Sequence, residues 1–548
     1  MEDNNFEVKG NIVDAIQERV YKGKLIISNN KIVDIIEDNS IKEDYYILPG
    51  FVNSHVHIES SMITPLEFSK QAVRWGTVAV VSDPHEIANV LGEKGIEFMI
   101  ENSKLSPMKF YFGVPSCVPA TGFETSGAVL NSDKVHELLK NKDLYFLSEM
   151  MNYPGVIFND EDVHNKLKYA KELNMPIDGH APGLKGEDLE KYVNSGISTD
   201  HECTTIEEAE AKIKLGMKVQ IREGSAAKNF EALHSLIDLY PNDIMLCTDD
   251  THPDDLMLGH INELVKRSVK KGLNPFNIIK AVNINPVKHY NLHVGSLQKN
   301  DSADFVIVNN LKDFSVLKTY INGEEIFNGQ RVNISGFENK KLNNFVAEKI
   351  TENDIKIYNK ESRKVKLINC FDGDLLTKQS LENLPLNKQG EILSDIQNDI
   401  IKIVVYNRYK KSKPVVGFIK NFGLQHGAVA SSIAHDSHNI IACGVTDSDI
   451  VAVINKIVEN KGGIAVYNGE NTFDLQLEIA GLMTNSPIEK VASEYELLNH
   501  IVKNELGSNL YAPFMTLSFM ALLVIPEIKI GDVGLFDGNK FELTNLTE

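Results

Sequence analysis

Cysteine is scarce and scattered. The five residues Cys117, Cys203, Cys247, Cys370 and Cys443 form no Cys-x-x-Cys pair, which argues against a disulfide framework and against a thiolate zinc site. Positive charge is in deficit: 56 Lys and Arg face 76 Asp and Glu, a formal net charge of -20. An acidic surface repels phosphate backbones, so nucleic acid is not an expected partner. Long hydrophobic runs are also missing. The most apolar stretch, Ala512 to Ile525, is short and contains Pro513, Thr516 and Ser518; it reads as a buried core helix, and no membrane span is expected. The opening Met-Glu-Asp-Asn-Asn is acidic and has no apolar segment of the secretory type, so the expected location is the cytoplasm. Neither an internal repeat nor a low-complexity segment is visible.

What is present is an ordinary soluble composition spread over 548 residues, enough for two or three domains. The first ~45 residues carry short β-branched runs between turn residues, such as Gly23–Ile27 and Lys31–Ile36. From 50 to 290, short apolar runs alternate with amphipathic Lys/Glu-rich stretches, the pattern of repeated β-α units. Eight strands are expected: Phe51–His57, Thr77–Ser82, Lys109–Val114, Leu144–Glu149, Pro176–His180, Ile197–His201, Lys218–Arg222 and Ile244–Asp249. Eight such units point to an α/β fold, a TIM-like (β/α)8 barrel; a doubly wound open sheet is the competing topology. Short strands return between 294 and 330 and can join the N-terminal ones in a small flanking β-sandwich domain. The expected division is 1–48 with 291–335 as that small domain, 49–290 as the barrel, a polar Asn/Lys-rich linker at 336–365, and an additional C-terminal α/β domain at 366–548.

His55-Val56-His57 is the most informative feature. Two histidines at i and i+2 on a strand point to one face, where they can meet one metal ion at ~2.0–2.1 Å per bond. A barrel enzyme carries its chemistry at the C-terminal ends of its strands. Those ends supply His55 and His57, then Glu149, His180, His201 and Asp249. Four imidazoles and two carboxylates suffice for two metal ions sharing one bridging carboxylate, and this donor set suits Zn, Mn or Fe. Any one of these residues alone reads equally well as a polar residue at a strand-to-loop junction; the ordered set does not. On this reading His55 and His57 hold one ion, His180 and His201 the other, and Glu149 bridges them. Asp249 touches the first ion and moves the proton of a metal-activated hydroxide. Asp250 is the alternative for that role. The chemistry is metal-assisted hydrolysis at an sp² carbon.

This set resembles the amidohydrolase superfamily over residues 1 to about 330, through Leu48-Pro-Gly-Phe-Val-Asn-Ser-His-Val-His57 and Ser302-Ala-Asp-Phe-Val-Ile-Val308. More closely, the chain is similar over nearly its full length to the bacterial adenine deaminases of that superfamily. The segments that carry the likeness are His55-Val-His-Ile-Glu-Ser-Ser-Met62, Asp83-Pro-His-Glu-Ile-Ala-Asn-Val90, Glu149-Met-Met-Asn-Tyr-Pro-Gly155, Asp178-Gly-His-Ala-Pro-Gly183, Arg222-Glu-Gly-Ser-Ala226 and Ala434-His-Asp-Ser-His-Asn439. The resemblance implies hydrolysis of adenine to hypoxanthine and ammonia, in purine salvage, at a centre of two divalent ions: Mn²⁺ or Fe²⁺, with Zn²⁺ as a further option. It also implies a small-molecule purine base as partner and a homodimer. The alternative is another amidohydrolase reaction, on a cyclic amide or a related 6-substituted purine. His85, Glu86, Arg222 and Glu223 near the barrel mouth are candidates to meet the purine ring. His435, Asp436 and His438 of the C-terminal domain are candidates to cap the site, contact substrate or bind another metal.

Overall fold

The computed structural model describes residues 5–337, 339–358, 364–372 and 374–547. Eight parallel strands follow one another: Phe51–His57, Thr77–Ser82, Lys109–Val114, Leu144–Met150, Ile177–Gly179, Thr199–Asp200, Lys218–Arg222 and Ile244–Cys247, the last resumed at Asp249–Asp250. The first five pair in chain order, as do the last three. Ser198 N–H donates to the Ile177 carbonyl at 2.9 Å and joins the fifth strand to the sixth. Asp249 and Asp250 pair with Val56 and His57 and close the ring. Closure makes this a (β/α)8 barrel and excludes the open sheet.

The barrel interior under the strand ends is polar and hydrogen-bonded. Ser54 Oγ donates to the Leu246 carbonyl at 2.9 Å, and Gln220 Nε2 donates to the Ser54 carbonyl at 2.7 Å. Tyr290 donates to Asp178 at 2.9 Å, and Asn53 Nδ2 donates to Thr248 Oγ1 at 2.7 Å. Each bond replaces water that the closed ring expels. Two pairing irregularities fall between Asn53 and Val56 and between Leu147 and Met150. They bracket His55 and Glu149, where a bulge re-aims a side chain.

The strands Phe6–Asp14, Arg19–Ser28, Lys31–Glu37 and Tyr46–Pro49 join Phe305–Val308, Val316–Ile321 and Glu324–Phe327 in one seven-stranded sheet. The small flanking β unit is therefore built from both sides of the barrel sequence. Its sheet curls on itself: Val8, Ile12, Leu25, Ile27, Ile32, Phe305 and Tyr320 share one core. Val13, Leu48, Val306 and Val308 face the other way, onto the barrel.

The C-terminal part is rich in strands. Eight of them, from Lys364–Asn369 to Thr472–Gln476, form a sheet that is antiparallel except for the pair Lys364–Asn369 and Val415–Lys420. Helix Asp447–Asn460 packs on one face through Ile450, Val453, Ile454 and Ile457. The other face, with Ile403, Val405, Val429 and Ile441, belongs to the same apolar cluster as the barrel. Helix Pro513–Phe519, from the most apolar stretch of the chain, is buried in that cluster. No helix among the described residues is long and apolar enough to cross a membrane. Part of the stretch expected as a linker packs on the C-terminal sheet, with Ile350 and Ile355 buried beside helix Asp447–Asn460. Residues 338 and 359–363 of that stretch lie outside the described residues, as do residues 1–4, 373 and 548 of the expected domains.

Candidate active site

Parallel strands deliver all their C-terminal ends to one face, and six side chains converge there. His55 Nε2 lies 3.1 Å from His57 Nε2, a spacing that two imidazoles tolerate when both turn lone pairs to one cation. His57 Nδ1 is 3.1 Å from the Asp83 carbonyl; as donor to that oxygen it leaves Nε2 free for a metal. Glu149 divides the centre. Its Oε1 lies 3.2 Å from His57 Nε2. Its Oε2 lies 2.8 Å from His180 Nδ1 and 3.3 Å from His201 Nε2. Asp249 Oδ1 is 3.2 Å from His57 Nε2 and 3.6 Å from His55 Nε2. All six side chains are buried.

Asp249 is reached by a broken strand. The eighth strand stops at Cys247 and resumes beside the first strand, and Asp249 takes a left-handed φ of 55°. Aspartate tolerates that region better than most residues, and such strain gathers at functional sites. Arg222 holds the result in place. One guanidinium nitrogen contacts Asp249 Oδ2, and two form parallel bonds to Glu202 at 2.6 and 2.7 Å. Asp250 instead accepts from Ser60 Oγ.

The electrostatics call for cations. Burial would raise the Glu149 carboxyl, but His180, His201 and His57 hold it well below the usual carboxylate range. Burial would likewise raise Asp249, but Arg222, His55 and His57 hold it far down. Burial opposes charge on His180, yet Glu202 and Glu149 carry it up to about 9. His55 goes the other way, down to about 4, through burial and the His201 charge. The negative field that draws protons to His57, His180 and His201 also draws a divalent ion. The donor set fits one: His55, His57 and Asp249 form one buried group, His55, Glu149 and His201 a second, and His180, His201 and Glu202 a third, each with donor atoms within 4.8 Å of one another. Imidazole nitrogen with carboxylate oxygen suits a divalent metal.

The C-terminal part roofs the mouth. His435 Nδ1 lies 2.7 Å from Glu86 Oε1, and His438 Nε2 contacts Glu86 Oε2. His85 sits between centre and roof, with Nδ1 3.1 Å from Asp83 Oδ2 and 3.6 Å from Glu149 Oε1, and Nε2 3.7 Å from Asp436 Oδ1. The cavity between centre and roof is lined by His85, Glu86, Glu149, His435 and Asp436 and by Met151, Leu375, Phe519 and Leu522. The loop His435–His438 is fixed from behind by the buried Arg408, which donates to the His438 carbonyl at 3.3 Å and the Ala480 carbonyl at 2.6 Å.

The structure thus brings together His55, His57, His85, Glu86, Glu149, His180, His201, Arg222, Asp249, His435, Asp436 and His438. It does not bring Glu223, whose Oε1 pairs with Arg267 at 2.7 Å, away from the cluster. In its place stands Glu202, which sequence reasoning passed over. Strand alternation turns the neighbour of His201 away, but the strand ends at Asp200 and alternation ends with it. Asp200 was also missed. It accepts from the backbone of Ala181 at 2.9 Å and of Glu202 at 2.7 Å, and the buried Lys212 lies 3.1 Å from it. This clasp fixes the chain beside His180 and His201 together.

Two family models match the sequence: the amidohydrolase family over residues 46–326, and the adenine deaminase C-terminal domain over residues 374–542. The chain belongs to the amidohydrolase family, in the branch that carries an adenine deaminase C-terminal domain. Among its relatives, the adenine deaminase of Methanosarcina mazei is 54% identical over 98% of both chains. Those of Sulfurovum sp. and Borreliella burgdorferi are 48% and 46% identical, again over 98% of both chains.

Proposed function

We propose that this protein hydrolyses adenine to hypoxanthine and ammonia. The observation that carries the reading is Glu149 set between two histidine pairs, with Asp249 at the first pair and the roof supplied by the part that matches the adenine deaminase C-terminal domain. Relatives named for that activity span both parts of the chain.

Two divalent ions would suit the donors: His55, His57 and Asp249 would hold the first and His180 and His201 the second, with Glu149 placed between the two pairs to serve both. Mn²⁺ or Fe²⁺ is the assigned metal, and Zn²⁺ is accommodated by the same ligands. When bound, the ions supply an acidified water, with pKa near about 7, as the nucleophile. Asp249, kept ionised, takes a proton from that water at Oδ1 and returns it to the departing amine. Arg222 on Oδ2 directs Oδ1 into the cavity. The water oxygen bonds to C6 and the exocyclic nitrogen leaves. One water proton ends on the ammonia, and the other on a ring nitrogen of hypoxanthine. His85 is the assigned carrier of the second proton: it gives its own to the ring nitrogen and is restored by the second water proton. Burial lowers it, but Asp83 and Asp436 carry it well above its ordinary value, so it holds a proton. Glu86, His435 and Asp436 line the cavity and would meet the polar edge of the purine, and Phe519, Leu522, Leu375 and Met151, also in its lining, would meet its flat apolar surface.

The chemistry is assigned to residues 49–290 and the roof to 366–548. We further assign the protein to the cytoplasm as a homodimer that binds a free base and neither nucleic acid nor membrane; sedimentation velocity tests the dimer. The deciding assay is ammonia release from adenine before chelation, after it, and with Mn²⁺ restored, with dihydropyrimidine and hydantoin run in parallel. Metal-dependent release with hypoxanthine as product is expected. Absence of release from adenine by the metal-loaded enzyme overturns the reading, and ring opening of a cyclic amide replaces it.

A further inference from the structure

The cavity wall is tied together by a lysine that the reaction does not use. Lys529 lies on strand Ile528–Ile530 with no exposed surface. Its Nζ donates to the Leu375 carbonyl at 2.6 Å and to the Phe519 carbonyl at 3.1 Å. Burial carries the ammonium down to about 7 against the pull of Asp374. A buried amine persists where its donors are satisfied by the protein in place of water. Here both satisfied donors end on residues that line the catalytic cavity.

Each attachment has a local logic. Phe519 is the last residue of helix Pro513–Phe519; its carbonyl, past the reach of the helix ladder, accepts from the Leu522 N–H at 3.2 Å and takes Lys529 as a second donor. Leu375 belongs to the connection between strands Lys364–Asn369 and Lys378–Asn383. Lys529 fastens these two remote segments to each other. Leu375 also lines a neighbouring vestibule formed by Tyr153, Pro182, Lys228 and Pro526, which shares Glu202, Arg222 and Ala227 with the catalytic cavity. Phe519 reaches inward: its ring centroid is 5.3 Å from that of His435, the residue on Glu86.

We propose that Lys529 is a positioning residue for the substrate: through the carbonyls of Leu375 and Phe519 it sets the apolar wall on which the purine packs and which parts the cavity from the vestibule. It touches neither substrate nor metal ligands. The inference rests on the adenine reading and goes one step beyond it, to what fixes the ring.

The test is steady-state kinetics of Lys529→Met, which keeps the apolar stem and removes the donors, with metal content measured on the same samples. We expect KM for adenine to rise on the order of tenfold with kcat within about twofold, the signature of lost uniform binding. Inhibition by hypoxanthine should weaken in parallel, and metal per chain should be unchanged. Phe519→Leu should raise KM in the same direction, and the double variant should fall short of additivity because both changes act on one wall. A folded Lys529→Met with unchanged KM overturns the proposal. So does a variant in which kcat and metal content fall together, because that is damage to the centre. If Lys529→Met does not fold, Lys529→Gln, which keeps a donor, replaces it under the same criteria. Wild-type enzyme that fails to turn over adenine sinks the adenine reading and this proposal with it; wild-type turnover with unmoved variant KM sinks the role of Lys529 alone.

Discussion

At the scale of single residues, the site is a contest between burial and pairing, and Glu149 and Asp249 show how pairing prevails. Glu149 presents one oxygen to His57 and the other to His180 and His201. Glu149→Gln replaces one of those oxygens with a donor that repels both a cation and an imidazole N–H. Loss of bound metal and of activity together is expected, measured by elemental analysis and ammonia release; normal metal content with normal turnover would remove Glu149 from the bridge. Asp249→Asn leaves the shape but cannot take a proton, so kcat should fall by about 10²–10⁴. Most of the metal should remain on the five other proposed ligands, and complete loss of metal would make Asp249 chiefly a ligand. Arg222 balances two buried carboxylates, Glu202 and Asp249. Removing one partner of a buried pair costs roughly 3–5 kcal/mol, so Arg222→Met should melt well below wild type as well as lose activity. A variant with wild-type stability would show the pairing to be weak.

At the scale of elements, the barrel was largely legible because its strands are short apolar runs that end abruptly in ligand-type residues. Four expected strands, Phe51–His57, Thr77–Ser82, Lys109–Val114 and Lys218–Arg222, match the structure end to end. The fifth and sixth end one residue early because His180 and His201 leave the ladder to enter the site, and they also start one and two residues later than expected. Glu223 and Glu202 show where local pattern stops working. Both follow a strand-end residue of the site, and only the turn after each decides which carboxylate faces inward. The roof was legible as an unusual His-Asp-Ser-His cluster, but its docking on Glu86 depends on contacts remote in sequence, as do Lys529, Leu375 and Phe519. The loop after the third barrel strand makes that docking measurable. Glu124 accepts from Ser437 Oγ at 2.7 Å, and the Thr125 carbonyl accepts from Asn439 Nδ2 at 2.8 Å. Burial pushes the Glu124 carboxyl up to about 8 from 4.5. A carboxyl raised on folding contributes stability that is fully present below its unfolded value and is lost as pH climbs through its folded value. The lost amount is on the order of a few kcal/mol. Glu124→Gln cannot titrate, so its melting temperature relative to wild type should climb between pH 5 and pH 8.5. A difference that stays flat across that range would mean the group is already ionised in the folded protein.

At the scale of the whole molecule, the site belongs to no single part of the chain. The barrel contributes the buried histidine and carboxylate cluster, and the C-terminal sheet contributes the roof and shares the barrel's apolar cluster. The contacts between them are spread widely. Thr484 N–H donates to the Met62 carbonyl at 2.9 Å. Tyr495 Oη meets His252 Nδ1 at 2.6 Å, and Asp532 accepts from both Thr125 N–H at 2.8 Å and Asn407 Nδ2 at 2.7 Å. A core that runs without interruption from barrel to roof should unfold as one unit. The proposed metal ions would bind only when the strand ends are assembled, so each would stabilise that unit by mass action, by about 2.7 kcal/mol per ion at a free concentration of 100 Kd. Chelation removes this term and leaves carboxylates and imidazoles buried without their cation. The expected calorimetric trace of the loaded enzyme is a single transition. Chelation should shift it as a whole to lower temperature, and Mn²⁺ should bring it back. Two transitions, of which only one responds to chelator, would show that roof and barrel fold independently, and the roof would then be a lid that closes on a barrel already complete.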